Sequence, residues 1–322
     1  MANCTKEYAA ELVAKFSQRE FERIQDIYFP PTQEKPISIE RCINELISLM
    51  SQTKSNKTIS PIIKRFHASM IKANRDGKLS PIDGWNLMKM SKEAFDKFYE
   101  NRLRCSDWFK EKNGANMVHL ENGYVPDFIY GIGLTTSGKY PIVTYFKPHL
   151  AKYLCEKYLK EYDTIFDPFS GYSGRMIGTL CCGKNYIGRD LCVDSVEESK
   201  EIWKFMEPIV KSKLNKELKC DLDVADVCES EGTYECLMTC SPYGKIEQWK
   251  GVPVLGYSCD KWIDICLKNF NCEKYVFVTD NLITKYKDYV TENLENTSHW
   301  GNNLEYVVVI TKEQRDEIIK GL

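Results

Sequence analysis

The chain has 322 residues, 43% hydrophobic and 28% charged, with 44 Lys and Arg against 46 Asp and Glu for a formal charge of −2. That composition belongs to a globular protein of one large or two ordinary domains, and no low-complexity tract or internal repeat interrupts it. No apolar run approaches the ~20 residues of a membrane span, and the start "MANCTKEYAAELVAKF" is too polar for a secretory signal, so a cytoplasmic protein is expected.

The first part of the chain reads as helices. Tyr8–Phe29, Ile39–Met50, Pro61–Ala73 and Ser91–Phe109 carry apolar residues at three- and four-residue spacing, and Ser38 is placed to cap the second of them. Loops such as "FPPTQEKPIS" and "EKNGANMVHLENGYVPD" separate them. The stretch "KANRDGKLSPID" imitates a calcium loop through Asn74, Asp76, Gly77 and Asp83. Lys72 stands at its first ligand position, however, and a turn between helices is the expectation.

From about Val143 the rhythm changes. Short apolar runs ("DTIF", "NYIG", "KCDLDV", "YECLMTC", "KYVFVTD", "LEYVVVI") alternate with helical segments at Gly174–Cys182, Ser195–Val210 and Cys259–Phe270. This predicts a mostly parallel α/β sheet with helices on both faces, its strands apolar throughout because both sides are buried. The domains are therefore placed at 1–135, helical, and 136–322, α/β.

Fourteen cysteines are scattered without a CxxC pair. They read as free, mostly buried thiols in a reducing compartment, and no metal site is expected. His67, His119, His149 and His299 are too dispersed to suggest a metal site or a triad.

In such a sheet, ligands bind beyond the carboxyl ends of the strands. "FDPFSGYSGR", residues 166–175, is the turn after the first strand. Gly171 and Gly174 allow positive φ and close approach to a ligand, and the helix that Gly174 opens presents free N–H groups to the same crevice. The spacing matches neither dinucleotide nor P-loop patterns, and Asp167 would repel a phosphate, so a cationic or amine- and hydroxyl-bearing ligand fits better. The second strand ends at Asp190 and the third run is followed by Asp226. An acid at such a tip can take both hydroxyls of a ribose, and three successive acidic tips favour a positively charged nucleoside. The fourth run ends "LMTCSPYGKIEQW", where Pro242 stiffens the corner and Tyr243 stands at the rim.

These stretches resemble the DNA amino-methyltransferases, whose first-strand motif is D-P-F-x-G-x-G and whose fourth-strand motif is [DNS]-P-P-[YFW]. "DPFSGYSGR" is similar to a phage-type variant of the first motif and "TCSPYGKIEQW" to the fourth. "YIGRD" is similar to the second-strand motif, and "YFKPHLAKYLCEKYL" to the helix before the first strand. The likeness covers about residues 140–322 in consistent order. It departs from the pattern where the family's third glycine is Ser173, the [DNS] position is Cys240 and the first proline is Ser241.

The resemblance implies a Rossmann-like seven-stranded methyltransferase sheet behind a helical N-terminal domain. It implies methyl transfer from S-adenosylmethionine to adenine N6 or cytosine N4 of a base flipped out of double-stranded DNA. By the same likeness Asp167 takes the cofactor's methionine amine, Asp190 the ribose and Asp226 the adenine amine. Phe169 lies near the sulfonium or adenine, Gly171, Ser173 and Gly174 form the turn, and Phe146 and Lys147 come from the upstream motif, where Lys147 is equally well a solvated lysine. Cys240 and the Ser241 carbonyl accept the target amine's hydrogens at the corner stiffened by Pro242, and Tyr243 stacks on the base. Glu247 either orients that loop or faces solvent. An RNA or protein-glutamine methyltransferase, or an inactive nucleic-acid-binding protein of the same fold, would share these features. By elimination, target reading falls to the helical half, where Lys54, Lys57, Lys64, Arg65, Lys72, Arg75 and Lys78 form a basic run that either grips a phosphate backbone or is a solvated face.

Overall fold

The computed structural model describes residues 6–31, 37–51, 60–75, 77–104, 123–136, 143–242, 247–248, 255–280, 282–294 and 305–322. Its helices are α1 (Lys6–Arg23), α2 (Ile39–Ser51), α3 (Pro61–Phe66), α4 (Pro81–Met90), α5 (Lys92–Arg104), α6 (Asp127–Thr136), α7 (Pro148–Tyr158), α8 (Gly174–Cys181), α9 (Val193–Leu214), α10 (Cys259–Asn269) and α11 (Lys312–Ile319). Two Ser-Pro pairs start α3 and α4. Ser60 and Ser80 accept from the N–H groups of Ile63 and Asp83, and Pro61 and Pro81 sit where a helix has no N–H to satisfy. Ser38 caps α2 as expected, accepting from the Arg41 N–H at 3.3 Å. Asp83, one acid of the calcium-like stretch, accepts from Ser80 Oγ at 2.6 Å within the cap. Asp76 lies outside the described residues.

The chain divides into two compact units: Met1–Pro36 with Ile71–Val143, and Ile37–Met70 with Thr144–Leu322. A single cut near residue 135 does not reproduce this division, because α2 and α3 fold with the sheet. In the first unit Ala9, Leu12, Trp85, Phe95, Tyr99, Ile129 and Tyr130 form one core. Arg23 ties that unit's ends together, pairing with Asp127 and donating to the Val125 carbonyl at 2.6 Å. Helices α4 and α6 escape the sequence reading, being short pieces amid Gly, Pro and polar residues.

The second unit is built on seven strands: β1 (Thr164–Asp167), β2 (Asn185–Asp190), β3 (Cys220–Val224), β4 (Gly232–Cys240), β5 (Phe270–Asp280), β6 (Val290–Leu294) and β7 (Glu305–Thr311). Their order is β3-β2-β1-β4-β5-β7-β6. The first five run parallel, and β7 is antiparallel to both β5 and β6. The α/β class and seven-stranded sheet expected from the sequence are therefore present. Successive residues of the central strands enter cores on opposite faces. Ile165, Met238 and Val276 pack with α7, whereas Phe166, Leu237 and Phe277 pack with α10. That two-sided burial explains the unbroken apolar runs.

Two parts of the sheet lack the two-sided burial of its centre. The β3–β4 link, residues 225–231, contains no helix. Asp221 and Asp223 accordingly stay exposed on one side of β3 while Leu222 is buried on the other. Strand β6, "VTENL", is not among the apolar runs because it is a half-polar edge with a register shift at Val290/Glu292. Among the described residues the cysteines are free of disulfides. No helix of these residues is long and apolar enough to cross a membrane.

Candidate active site

The strand order sets the tips of β3, β2, β1 and β4 side by side. From β1 the chain moves first to β2 and β3 on one side and then to β4 on the other. The crevice beyond β1 and β4 is thus the point where strand order reverses. Asp167, Asp190 and Asp226 end or follow adjacent strands, and Cys240, Ser241 and Pro242 form the corner beside them.

Asp167 does not face that crevice. It is fully buried and accepts from Arg175 Nε at 2.7 Å, Tyr186 OH at 2.7 Å, Thr239 Oγ1 at 2.6 Å and its own turn's Phe169 N–H at 3.2 Å. Four donors fill the roughly four acceptor positions of a carboxylate. The role of amine ligand implied by the resemblance is therefore already taken by partners inside the fold. Asp167 instead clamps β1, β2, β4 and the start of α8 together. Burial alone would lower the Arg175 pKa, but Asp167 beside it holds the guanidinium above its ordinary value. Burial, then Asp167, pushes the Tyr186 phenol well up, so it stays a donor. Arg175 also donates to the Phe169 carbonyl and lies 5.1 Å from the Phe146 ring centre.

Asp190 is the opposite case. It is half-buried and, among the described residues, accepts two hydrogen bonds, from Gly171 N–H at 2.8 Å and Cys192 N–H at 2.9 Å. About two acceptor positions remain, which is what a vicinal diol needs. Burial raises its pKa, partly offset by those two backbone donors. Asp226 is half-buried, accepts the Cys228 N–H at 2.8 Å, and starts the turn whose Val227 side chain is buried. A cleft of about 240 Å³ runs along the sheet under the β3–β4 link, lined by Phe166, Pro168, Arg189, Val227, Ser230, Glu231, Tyr234 and Phe270, the last three at the amino ends of β4 and β5.

The turn itself is tightly made. Gly171 has φ +55°. Gly174 has no room for a side chain, since a Cβ there would lie 1.7 Å from the Phe146 carbonyl oxygen. The Phe146 backbone is thus packed on the turn. Lys147 N-caps α7 through its backbone, and loss of water lowers its pKa. Phe169 packs edge-on against Trp262 at 5.1 Å. Ser173 holds φ +64°, a left-handed conformation unusual for a residue with a Cβ, and its hydroxyl points inward, not to the rim.

At the corner after β4, Ser241 is buried and Cys240 and Pro242 are half-buried. Burial pushes the pKa of the Cys259 thiol nearby up to about 11. Tyr243 lies outside the described residues, as do Lys54 and Lys57. Of the basic run, Lys64 and Arg65 are exposed on α3 of the second unit, and Lys72, Arg75 and Lys78 belong to the first.

Two residues near this site escaped the sequence reading. His67 belongs to no local motif, yet it is buried against the turn with Ser173 on one ring nitrogen and Glu198 on the other. His67 thus stands in a Glu198–His67–Ser173 line. With Ser173 only 1% exposed, no substrate can reach that hydroxyl, so the line is not a nucleophile triad. Arg175 ends the first motif without a role legible in the sequence, because only the folded chain shows it paired with Asp167.

No protein-family model and no curated protein matches this sequence. Solved structures similar to it include the tRNA (uracil-54, C5)-methyltransferase of Pyrococcus abyssi in complex with S-adenosyl-L-homocysteine, at 17% identity over 53% of this chain and 40% of that one, TM-score 0.34. Another is the ribosomal protein L11 methylase of Lactobacillus delbrueckii subsp. bulgaricus, at 12% identity over 51% and 78%, TM-score 0.32. A third is geranyl diphosphate methyltransferase in complex with GPP and sinefungin, at 10% over 51% and 78%, TM-score 0.34. With TM-scores this low, the chemistry rests on the chain's own residues.

Proposed function

We propose that the second unit is an S-adenosylmethionine-dependent methyltransferase acting on the exocyclic amine of a DNA base, adenine N6 or cytosine N4. The observation that carries this reading is the half-open Asp190 carboxylate with Asp226 on the neighbouring tip, across the β1 tip from the Cys240–Ser241–Pro242 corner at the sheet's switch point. Asp190 holds the cofactor's ribose hydroxyls, Asp226 its adenine amine, and the Gly171–Gly174 turn lies against it. Bound there, the cofactor supplies an electrophilic methyl group on a sulfonium.

The chain's own part is positional. An exocyclic amine is a weak nucleophile because its lone pair is delocalised into the ring, so holding it in line supplies most of the rate. The Ser241 carbonyl and Cys240 accept its hydrogens. Tyr243 stacks on the base after it leaves the duplex, worth about 1–3 kcal/mol. Exposed Lys64 and Arg65 add phosphate contacts.

Incubating the protein with methyl-tritiated S-adenosylmethionine and, separately, duplex DNA, RNA and glutamine-bearing peptides tests the proposal. Label on DNA, found as N6-methyladenine or N4-methylcytosine after digestion, is the expected result. Label on RNA or peptide alone overturns the DNA assignment while keeping the chemistry, and absence of S-adenosylhomocysteine binding by calorimetry overturns both.

A further inference from the structure

The ligand turn carries an unexplained cost. Ser173 sits at φ +64°, ψ 1°, where glycine is at ease and a residue with a Cβ loses roughly 1–2 kcal/mol. Its backbone carbonyl accepts the Ile177 N–H at 2.9 Å, so this conformation also sets the first turn of α8. Something must hold Ser173 there, and the structure shows what does.

Its hydroxyl lies 2.8 Å from His67 Nε2 and 2.6 Å from Ser199 Oγ. Ser199 in turn donates to the Ser195 carbonyl at 2.7 Å, and Ser195 Oγ donates to the carbonyl of Gly171, the turn's other left-handed residue. On the far side, His67 Nδ1 is 3.0 Å from Glu198 Oε2, whose carboxylate also accepts from Ser69 N–H at 2.9 Å and from the Ser69 hydroxyl. A carboxylate can only accept, so Nδ1 carries a proton and the imidazole is fixed in plane and orientation. The Tyr172 ring packs edge-on against it at 5.3 Å. The imidazole is buried against Ser173, while Gly171 N–H of the same turn donates to Asp190.

We infer that His67, oriented by Glu198, is a positioning residue for the cofactor turn: by gripping the Ser173 hydroxyl it holds in the left-handed conformation a position where glycine would need no such grip. His67 closes α3 as its C-cap, so the segment Ile37–Met70 supplies a structural part of the ligand site. The inference rests on the methyltransferase reading for its consequence, tighter cofactor binding, but not for the conformation itself.

Two readouts separate them: amide hydrogen exchange at residues 173–178 in the ligand-free protein, and calorimetry with S-adenosylhomocysteine. His67→Ala should speed exchange there and weaken binding about 5–30-fold, the left-handed cost converted at about 1.4 kcal/mol per tenfold. Adding Ser173→Gly to His67→Ala should restore both, because glycine takes the conformation unaided. Unchanged exchange in His67→Ala, or a double variant no better than the single, overturns the inference. If His67→Ala does not fold, Ser173→Ala and Ser173→Gly are compared. Alanine keeps the Cβ and loses the grip, so equal exchange in the two overturns it as well. Exchange behaving as expected in a protein that never binds S-adenosylhomocysteine leaves the inference standing and removes the cofactor reading.

Discussion

The tips of β1 and β2 carry the same residue type on neighbouring strands, yet they do different work. Asp167 is sealed, with Arg175, Tyr186, Thr239 and Phe169 occupying its oxygens. Asp190 is half-open, with two backbone donors below and free capacity above. An acid at a strand tip is thus not by itself a ligand group. What decides is how many donors the fold has already aimed at it.

The largest test of that contrast is Asp167→Ala. It leaves Arg175 as a buried, unpaired charge, which typically costs about 3–5 kcal/mol. Thermal unfolding should show a marked loss of Tm; an unchanged Tm with lost cofactor binding would return Asp167 to the ligand role. Asp190→Ala should do the reverse. Hydrogen bonds to a charged group contribute about 1.5–3 kcal/mol, so affinity for S-adenosylhomocysteine should fall roughly 10–100-fold, with a smaller loss of Tm than in Asp167→Ala. A collapse of Tm with unchanged affinity would erase the distinction between the tips.

The protonation of Asp190 sharpens it further. Burial raises its pKa, so it takes up a proton at higher pH than an ordinary aspartate. Its effect on stability is fully present below the unfolded-state pKa and is lost as pH rises through the raised value. Ligand binding needs the carboxylate and runs the opposite way. Affinity should fall as pH drops through that raised pKa, and this limb should be missing in Asp190→Asn. A limb retained in that variant would assign the titration elsewhere. The smallest effect is expected from Thr239→Val, which removes one of four donors to Asp167 and should cost about 1–2 kcal/mol in denaturant unfolding. No loss there would mean the clamp does not depend on β4.

Much of the sheet is legible because strands buried on both faces need unbroken apolar runs, as in "YECLMTC" and "KYVFVTD". The polar edge strand "VTENL" is not, since nothing in five half-polar residues distinguishes a strand from a loop until β7 pairs with it. The placement of α2 and α3 was equally hidden. Their helical periodicity says that they bury a face, not which unit receives it.

By itself, then, the sequence settled the succession of the apolar strands, the residues at their tips and the tight turn between β1 and α8, because these follow from local patterning and chain direction. Only the tertiary structure decided that Asp167 is spent on Arg175 and that His67 grips Ser173 from 106 residues away. Hydrogen bonds of that range form where distant segments converge, and no periodicity along the chain records the meeting.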